Sequence, residues 1–274
     1  MTDAHRVKAP TADEIEHRFR HPVVMLTRPM VLGVLGVLGA VRRFKWTARG
    51  AHRLTRGQPP LLFAANHCSH ADTAAILGTL PWRIRRRTCV AAALDVFGPA
   101  KRRGPGYRMK AFRRECLQLL VAAGFRAFAF DRYGPPIRSL RTVSDLIDHG
   151  WSVLLYPEGT RSRTGKMAEF KPGVGLIAKA TGRPVIPIHV TGGNAILPCG
   201  AFLPRSARAV VRYGEPLWYQ RGESVSDFVA RVQEHVLALA PRTTAPEVVV
   251  PRKLFKGRAR FAAAGGAEAP KPRY

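Results

Sequence analysis

Negative charge is scarce in this chain. Against 45 Lys and Arg there are only 18 Asp and Glu, which leaves a formal net charge of +27 over 274 residues. An excess of that size points to an anionic partner, with phosphate on nucleic acid, on a lipid headgroup or on a small substrate all open at this point. Cysteine is nearly as sparse. Cys68, Cys89, Cys116 and Cys199 are scattered with no CxxC pair, so neither a zinc site nor a dense disulfide framework is expected, and reduced thiols in a cytoplasmic setting follow. Long apolar runs are also wanting. The uncharged apolar stretch Met30 to Val41 has 12 residues and closes on Arg42 and Arg43; as a helix it would measure roughly 18 Å, short of a roughly 30 Å hydrocarbon core. Residues 1 to 21 are long and charged, and no small-residue cleavage pattern follows the apolar stretch, so a secretory signal peptide is not expected. What is present is an ordinary globular fraction of hydrophobic residues, 46%, enough for a real core.

The chain opens on a capping-box pattern, Thr11-Ala-Asp-Glu14, followed by Ile15 and Phe19 at helical spacing, which predicts a short amphipathic helix ending at Pro22. The Met30 to Val41 stretch carries a threefold Val-Leu-Gly repeat. Extending it back to Pro22 reaches spanning length only by taking Arg28 and Pro29 inside. Residues 1 to 45 therefore read as a membrane-associating helical segment that enters one leaflet, flanked by basic residues suited to an anionic membrane surface, with a buried core helix as the alternative for the apolar stretch.

From residue 60 short apolar runs alternate with helical patterns. Strands are expected at 61–65, 89–94, 125–130, 153–156, 185–190 and 209–213, and helices at 71–79, 107–123, 137–149, 173–181 and 225–239. Such alternation implies an α/β domain over residues 46–240, a mixed, largely parallel sheet flanked by helices, with sites at strand ends. Residues 241–274 hold eight Lys or Arg against two Glu and read as a basic, disordered tail. The densest basic block lies elsewhere: residues 81–115 contain eleven Lys or Arg against Asp95 and Glu115. Aromatic residues are not interleaved there as a stacking platform requires, and no nucleic-acid module is present, so nucleic acid is not the expected partner.

Two strand ends carry groups capable of chemistry. Asn66-His67-Cys68-Ser69-His70-Ala71-Asp72 begins where the first apolar strand stops. Residues five apart on one helix point about 140° apart, so His67 can meet Asp72 only from the turn before a helix that contains Asp72. A carboxylate on one ring nitrogen leaves the other free as a general base and stabilises the imidazolium that forms. His70 is a second candidate base, but its two-residue separation from Asp72 is poor for facing it. Tyr156-Pro157-Glu158-Gly159-Thr160-Arg161-Ser162 follows the apolar strand of Val153 to Leu155. Arg161 suits bidentate phosphate recognition, and Gly159 lets backbone approach a ligand. Cys68 as a covalent nucleophile is rejected, because neighbouring side chains seldom face one another as a base and its nucleophile must.

With both motifs in one chain, residues 45 to 215 resemble the glycerolipid acyltransferases, the 1-acyl-sn-glycerol-3-phosphate acyltransferase family. Asn66-His67-x4-Asp72 is similar to the family's NHxxxxD block, and Phe128-Ala-Phe-Asp131-Arg132 resembles the second block. Pro157-Glu-Gly-Thr-Arg-Ser162 resembles the third block and Val185-Ile-Pro-Ile188 the fourth. Ala127 stands where many members have Gly, and His70 replaces a frequent aromatic residue. The resemblance implies a glycerol-3-phosphate acyltransferase-like fold and acyl transfer from acyl-coenzyme A or acyl carrier protein to a glycerol hydroxyl of lysophosphatidic acid. The product would be phosphatidic acid, made at the cytoplasmic face of a membrane, with no metal or cofactor required. It implies His67 and Asp72 as the catalytic pair. Arg132 would hold the acceptor's phosphate, as we expect also of Arg161 and Lys171, with Glu158 positioning the acceptor and Gly159 and Thr160 beside it. Related acceptors, glycerol 3-phosphate or another lipid hydroxyl, stay open, as does hydrolysis with water in the acceptor's place.

Overall fold

The computed structural model describes residues 10–55, 59–93, 124–130, 136–162, 166–198, 201 and 203–241. Those up to residue 240 belong to one compact unit, Met1–Ala240; of the second unit, Pro241–Tyr274, only Pro241 is described. The expected helix at 107–123, Arg132, Cys116, Cys199, the basic block beyond residue 93 and the tail from residue 242 lie outside the described residues.

The centre is a seven-stranded sheet. In chain order the strands are β1 (Lys45–Arg49), β2 (Leu62–Ala65), β3 (Thr88–Ala93), β4 (Ala127–Phe130), β5 (Ser152–Leu155), β6 (Val185–Thr191) and β7 (Arg208–Tyr213). They are arranged β1-β7-β6-β2-β5-β3-β4, every neighbouring pair parallel except β6 with β7. Every residue of β2 and β5 is buried, which is why Leu62–Ala65 and Val153–Leu155 read as unbroken apolar runs: a parallel strand covered on both faces has no solvent side to alternate with.

Helices cover both faces. On one, α1 (Ala12–Arg20), α5 (Pro136–Asp148), α6 (Gly173–Thr181) and α8 (Val225–Ala238) share a core that includes Phe19, Leu146, Ile177 and Phe228. On the other, α3 (His70–Thr79), α4 (Trp82–Arg85) and α7 (Gly193–Ile196) pack with Phe63, Ile188 and Tyr213. Gly175 allows α8 to close on α6, since a Cβ there would stand 2.7 Å from Val229 Cγ2.

The N-terminal segment departs from the sequence expectation. The capping box forms, with the Glu14 amide donating to Thr11 Oγ1 at 3.3 Å and the Thr11 amide donating to Glu14 Oε2 at 2.9 Å. The apolar face of α1, however, is spent inside the domain. Ala12, Ile15 and Phe19 are 1–3% exposed, and Phe19 meets the Trp151 ring at 5.2 Å. Burying Ile15 and Phe19 stabilises the fold by about 1.5–3 kcal/mol each, which a lipid contact would have to replace. α2 (Pro22–Arg42) runs through Pro29 as one helix. Among the described residues no helix is long and apolar enough to cross a membrane. The edge strand β1 has four of five residues exposed, so it carries no apolar signal.

Candidate active site

Three adjacent strands, β5, β2 and β6, end side by side and deliver the site at their carboxyl ends. Asn66 follows β2 and fastens it to β6: its Nδ2 donates to the Val190 carbonyl at 3.1 Å and its Oδ1 accepts from the Val190 amide at 2.7 Å. His67 then sits in the turn, and Asp72 is the third residue of α3. The two meet as the spacing requires, His67 Nδ1 lying 3.3 Å from Asp72 Oδ2.

Asp72 serves two structures with one oxygen. Its Oδ2 also accepts from the amides of Cys68 and Ser69, both at 2.7 Å, while Ser69 Oγ accepts from the Ala71 amide at 3.1 Å and caps α3. Capping the helix and orienting the imidazole are therefore one geometric event. The other oxygen, Oδ1, is buried without a hydrogen-bond partner and lies against Gly193 at the start of α7, where a Cβ would stand 1.8 Å away. Asp72 is 1% exposed and His67 16%, so the pair is largely sheltered from water.

The third motif clamps the His67 peptide from both sides. Glu158 Oε1 accepts from the His67 amide at 2.7 Å, and the Ser162 amide donates to the His67 carbonyl at 2.8 Å. Glu158 Oε2 accepts from the Ala168 amide at 2.8 Å, so this buried carboxylate meets two backbone donors. Burial raises its pKa, and those amides work in the opposite direction. Gly159, at φ +72°, has Lys171 laid across it: a Cβ there would be 3.1 Å from Lys171 Nζ. Lys171 and Thr160 are exposed and Arg161 is half-buried. Desolvation and then the charges of Arg161 and His67 push His70, the first residue of α3, down to about 4, although one side of that residue reaches solvent. Cys68 is pushed up to about 11 by desolvation and the carboxylates of Asp72 and Glu158, so it is a neutral thiol at physiological pH.

Sequence reasoning missed two contributors. The Tyr156 ring stacks on His67 with centroids 3.9 Å apart and planes 20° from parallel, and its hydroxyl is 2.7 Å from Thr73 Oγ1, one residue past Asp72. The imidazole is thus held at one edge by Asp72 and over one face by Tyr156. Tyr156 immediately precedes Pro157, but stacking across 89 residues of chain leaves no mark on a single strand pattern. Gly193 is the other: only the folded chain brings it to Asp72. Arg132, by contrast, lies outside the described residues, and β4, the strand that leads to it, is three places from β2 in the sheet.

The fold is thus a largely parallel α/β sheet with a histidine–aspartate pair at its strand ends. The profile of the Acyltransferase family matches residues 45–191, more than half the chain and the interval that holds both turns of the site. The chain belongs to the acyltransferase family. Among curated proteins it is 24% identical over 197 residues to a chloroplastic 1-acyl-sn-glycerol-3-phosphate acyltransferase of Arabidopsis thaliana, covering 66% of this chain and 48% of that one. A chloroplastic 1-acyl-sn-glycerol-3-phosphate acyltransferase of Brassica napus is 44% identical over 62 residues, 23% of this chain and 18% of that one. The chain thus matches less than half the length of these relatives. The crystal structure of the 1-acyl-sn-glycerophosphate acyltransferase of Thermotoga maritima superposes with a TM-score of 0.54 at 20% identity, covering 82% of this chain and 84% of that one; the fold is shared.

Proposed function

We propose that this protein is an O-acyltransferase that moves a fatty acyl group from an acyl thioester, acyl-coenzyme A or acyl carrier protein, to the free hydroxyl of 1-acyl-sn-glycerol 3-phosphate. The observation that carries the reading is the His67–Asp72 pair, oriented at Nδ1 and clamped at its own peptide by Glu158 and Ser162. His67 Nε2 takes the hydroxyl proton as the oxygen attacks the thioester carbonyl. Collapse of the tetrahedral adduct breaks the C–S bond, the imidazolium returns the proton to the leaving thiolate, and phosphatidic acid is formed. Asp72 stabilises the imidazolium in between. A general base of this kind contributes typically about 10² to 10⁴ in rate. Oxyanion stabilisation must add more, and backbone amides beside Gly159 are the donors we assign to it.

Arg161 and Lys171 flank the same turn and supply positive charge for the acceptor's phosphate, with Arg132 assigned to the same task by resemblance. Thr160 is assigned to the acceptor beside them, and Glu158 acts on acceptor position by holding the turn. The 51–75% exposed stripe of α2, Leu26, Met30, Val34, Val37 and Val41, supports association with one leaflet, on what we take to be the cytoplasmic face.

The test is thiol release from long-chain acyl-coenzyme A with and without 1-acyl-glycerol 3-phosphate. Release that depends on the acceptor, yields phosphatidic acid and vanishes in His67→Ala is the expected result; activity surviving in that variant removes His67 as the base. Arg161→Gln should raise KM for the acceptor and leave KM for the donor unchanged.

A further inference from the structure

Residues 17–71 and 73–94 contain no Asp or Glu. Within the second stretch, directly after α3, the short helix α4 and its C-cap present Trp82, Arg83 and Arg86. Trp82 is 64% exposed, both arginines are exposed, and the Arg86 guanidinium lies over the indole at 5.6 Å. An exposed indole beside two cations, in a stretch without acidic neighbours in sequence, is the composition of a contact at a membrane–water interface. Beneath it, Ile84 is 7% exposed and shares a core cluster with Phe125, so the element is anchored and the tryptophan faces outward from a fixed base.

α2 and α4 both touch the segment that opens β4. Val31 of α2 fills the space at Gly124, where a Cβ would be 2.7 Å from its Cγ1; Phe125 and Arg126 follow Gly124, and the Arg126 guanidinium donates to the Arg86 carbonyl. The apolar stripe of α2 falls at spacings of 4, 4, 3 and 4 residues, within an arc of about 80° around the helix. A run of 12 apolar residues lying in one leaflet buries limited area, and attraction of nearby cations to anionic lipids adds to such binding.

We infer that Trp82, Arg83 and Arg86 make that added contact: a foot that rests at headgroup level on the anionic phospholipid bilayer into which α2 inserts. Indole belongs at the membrane–water interface, apolar on one side and able to donate on the other, and arginines beside it pair with lipid phosphate. The occupant is a bilayer rather than an acidic protein because the same domain exposes both an indole flanked by cations and the apolar stripe of α2, and the two kinds of surface match one that is anionic outside and hydrocarbon beneath. The inference rests on the membrane reading above and goes beyond it by naming a contact outside the N-terminal helices.

The experiment uses the whole chain with vesicles of phosphatidylglycerol and phosphatidylcholine, or phosphatidylcholine alone, containing a lipid with a shallow spin-label quencher. Tryptophan emission is compared between the parent and Trp82→Phe, and binding by sedimentation between the parent and Arg83→Ser/Arg86→Ser. Two cations at the surface predict roughly 10- to 30-fold weaker binding of the double variant to anionic vesicles. Binding to neutral vesicles should change little, and the quenched part of the parent emission should be absent from Trp82→Phe. Acyl transfer to detergent-dispersed acceptor should be equal in all three proteins, which shows that the variants are folded. If the parent sediments with vesicles but quenching is the same in Trp82→Phe, or the double variant binds anionic vesicles as tightly as the parent, the foot is refuted while the membrane reading stands. Should the parent sediment with no vesicle, both fall; a parent dimer that Trp82→Phe dissociates, with vesicle binding unaltered, would assign the surface to a second copy instead.

Discussion

Replacing Asp72 with asparagine is the sharpest test of the site, because the two roles of Asp72 respond differently. Asparagine can still accept through one oxygen from the Cys68 and Ser69 amides, both now at 2.7 Å, and asparagine and aspartate are both good partners for helix-end donors. The turn and α3 should therefore persist. What asparagine cannot supply is charge opposite the imidazolium. With the amide oxygen in the Oδ2 position, its NH2 group must occupy the place of Oδ1, which has no partner and lies against Gly193; a buried donor there costs about 1–3 kcal/mol. The alternative rotamer puts NH2 against two backbone amides and His67 Nδ1, which is worse. Loss of imidazolium stabilisation should lower kcat by about 10² to 10⁴, equivalent to roughly 3–5 kcal/mol of barrier. The assay is acceptor-dependent thiol release at saturating donor, with circular dichroism to follow helix content. A variant with intact helix content and kcat within threefold of the parent would refute the reasoning and reduce Asp72 to a capping residue.

Cys68→Ser should retain full activity and accumulate no acyl-enzyme in mass spectra, because a thiol pushed up to about 11 is protonated at pH 7. Gly193→Ala places a methyl group 1.8 Å from Asp72 Oδ1 and must displace either α7 or the carboxylate, so activity should fall at least 10²-fold, about 2.7 kcal/mol, in the same thiol assay. Tyr156→Phe should keep most activity because the ring remains, whereas Tyr156→Leu removes the face that holds the imidazole and should lower kcat with little change in KM in the same assay. His189 is held down near 4 by desolvation and Arg212. An imidazole with pKa near 6.5 in the unfolded chain binds its proton there first, so this contribution to stability is full above about 6.5 and is lost as pH falls towards 4. His189→Gln should flatten denaturant-measured stability across that window by at most ~3 kcal/mol.

Much of the fold was legible because the sheet is buried on both faces. Leu62–Ala65 and Val153–Leu155 are apolar without interruption, and each is a strand in the structure. The turn between β2 and α3 was legible too, since a histidine and an aspartate five apart can meet only across a helix start. β1 was not, for an exposed edge strand of Lys45, Trp46, Thr47, Ala48 and Arg49 buries too little to leave a pattern. The fate of α1 was only half legible. Its amphipathic spacing and capping box specify a helix with one apolar face, but they do not say whether protein or lipid covers that face.

By itself, then, the sequence determined where the chain must turn, which runs must be hidden from water, and which titratable groups stand at strand ends, because these follow from local backbone chemistry and short-range periodicity. Tertiary structure alone decided what meets across the sheet: Phe19 against Trp151, Tyr156 over His67, Glu158 on the His67 amide and Gly193 against Asp72. Each of these contacts joins residues far apart in the chain, and each depends on distances of a few ångströms that only the order of the strands and the packing of the helices on them can set.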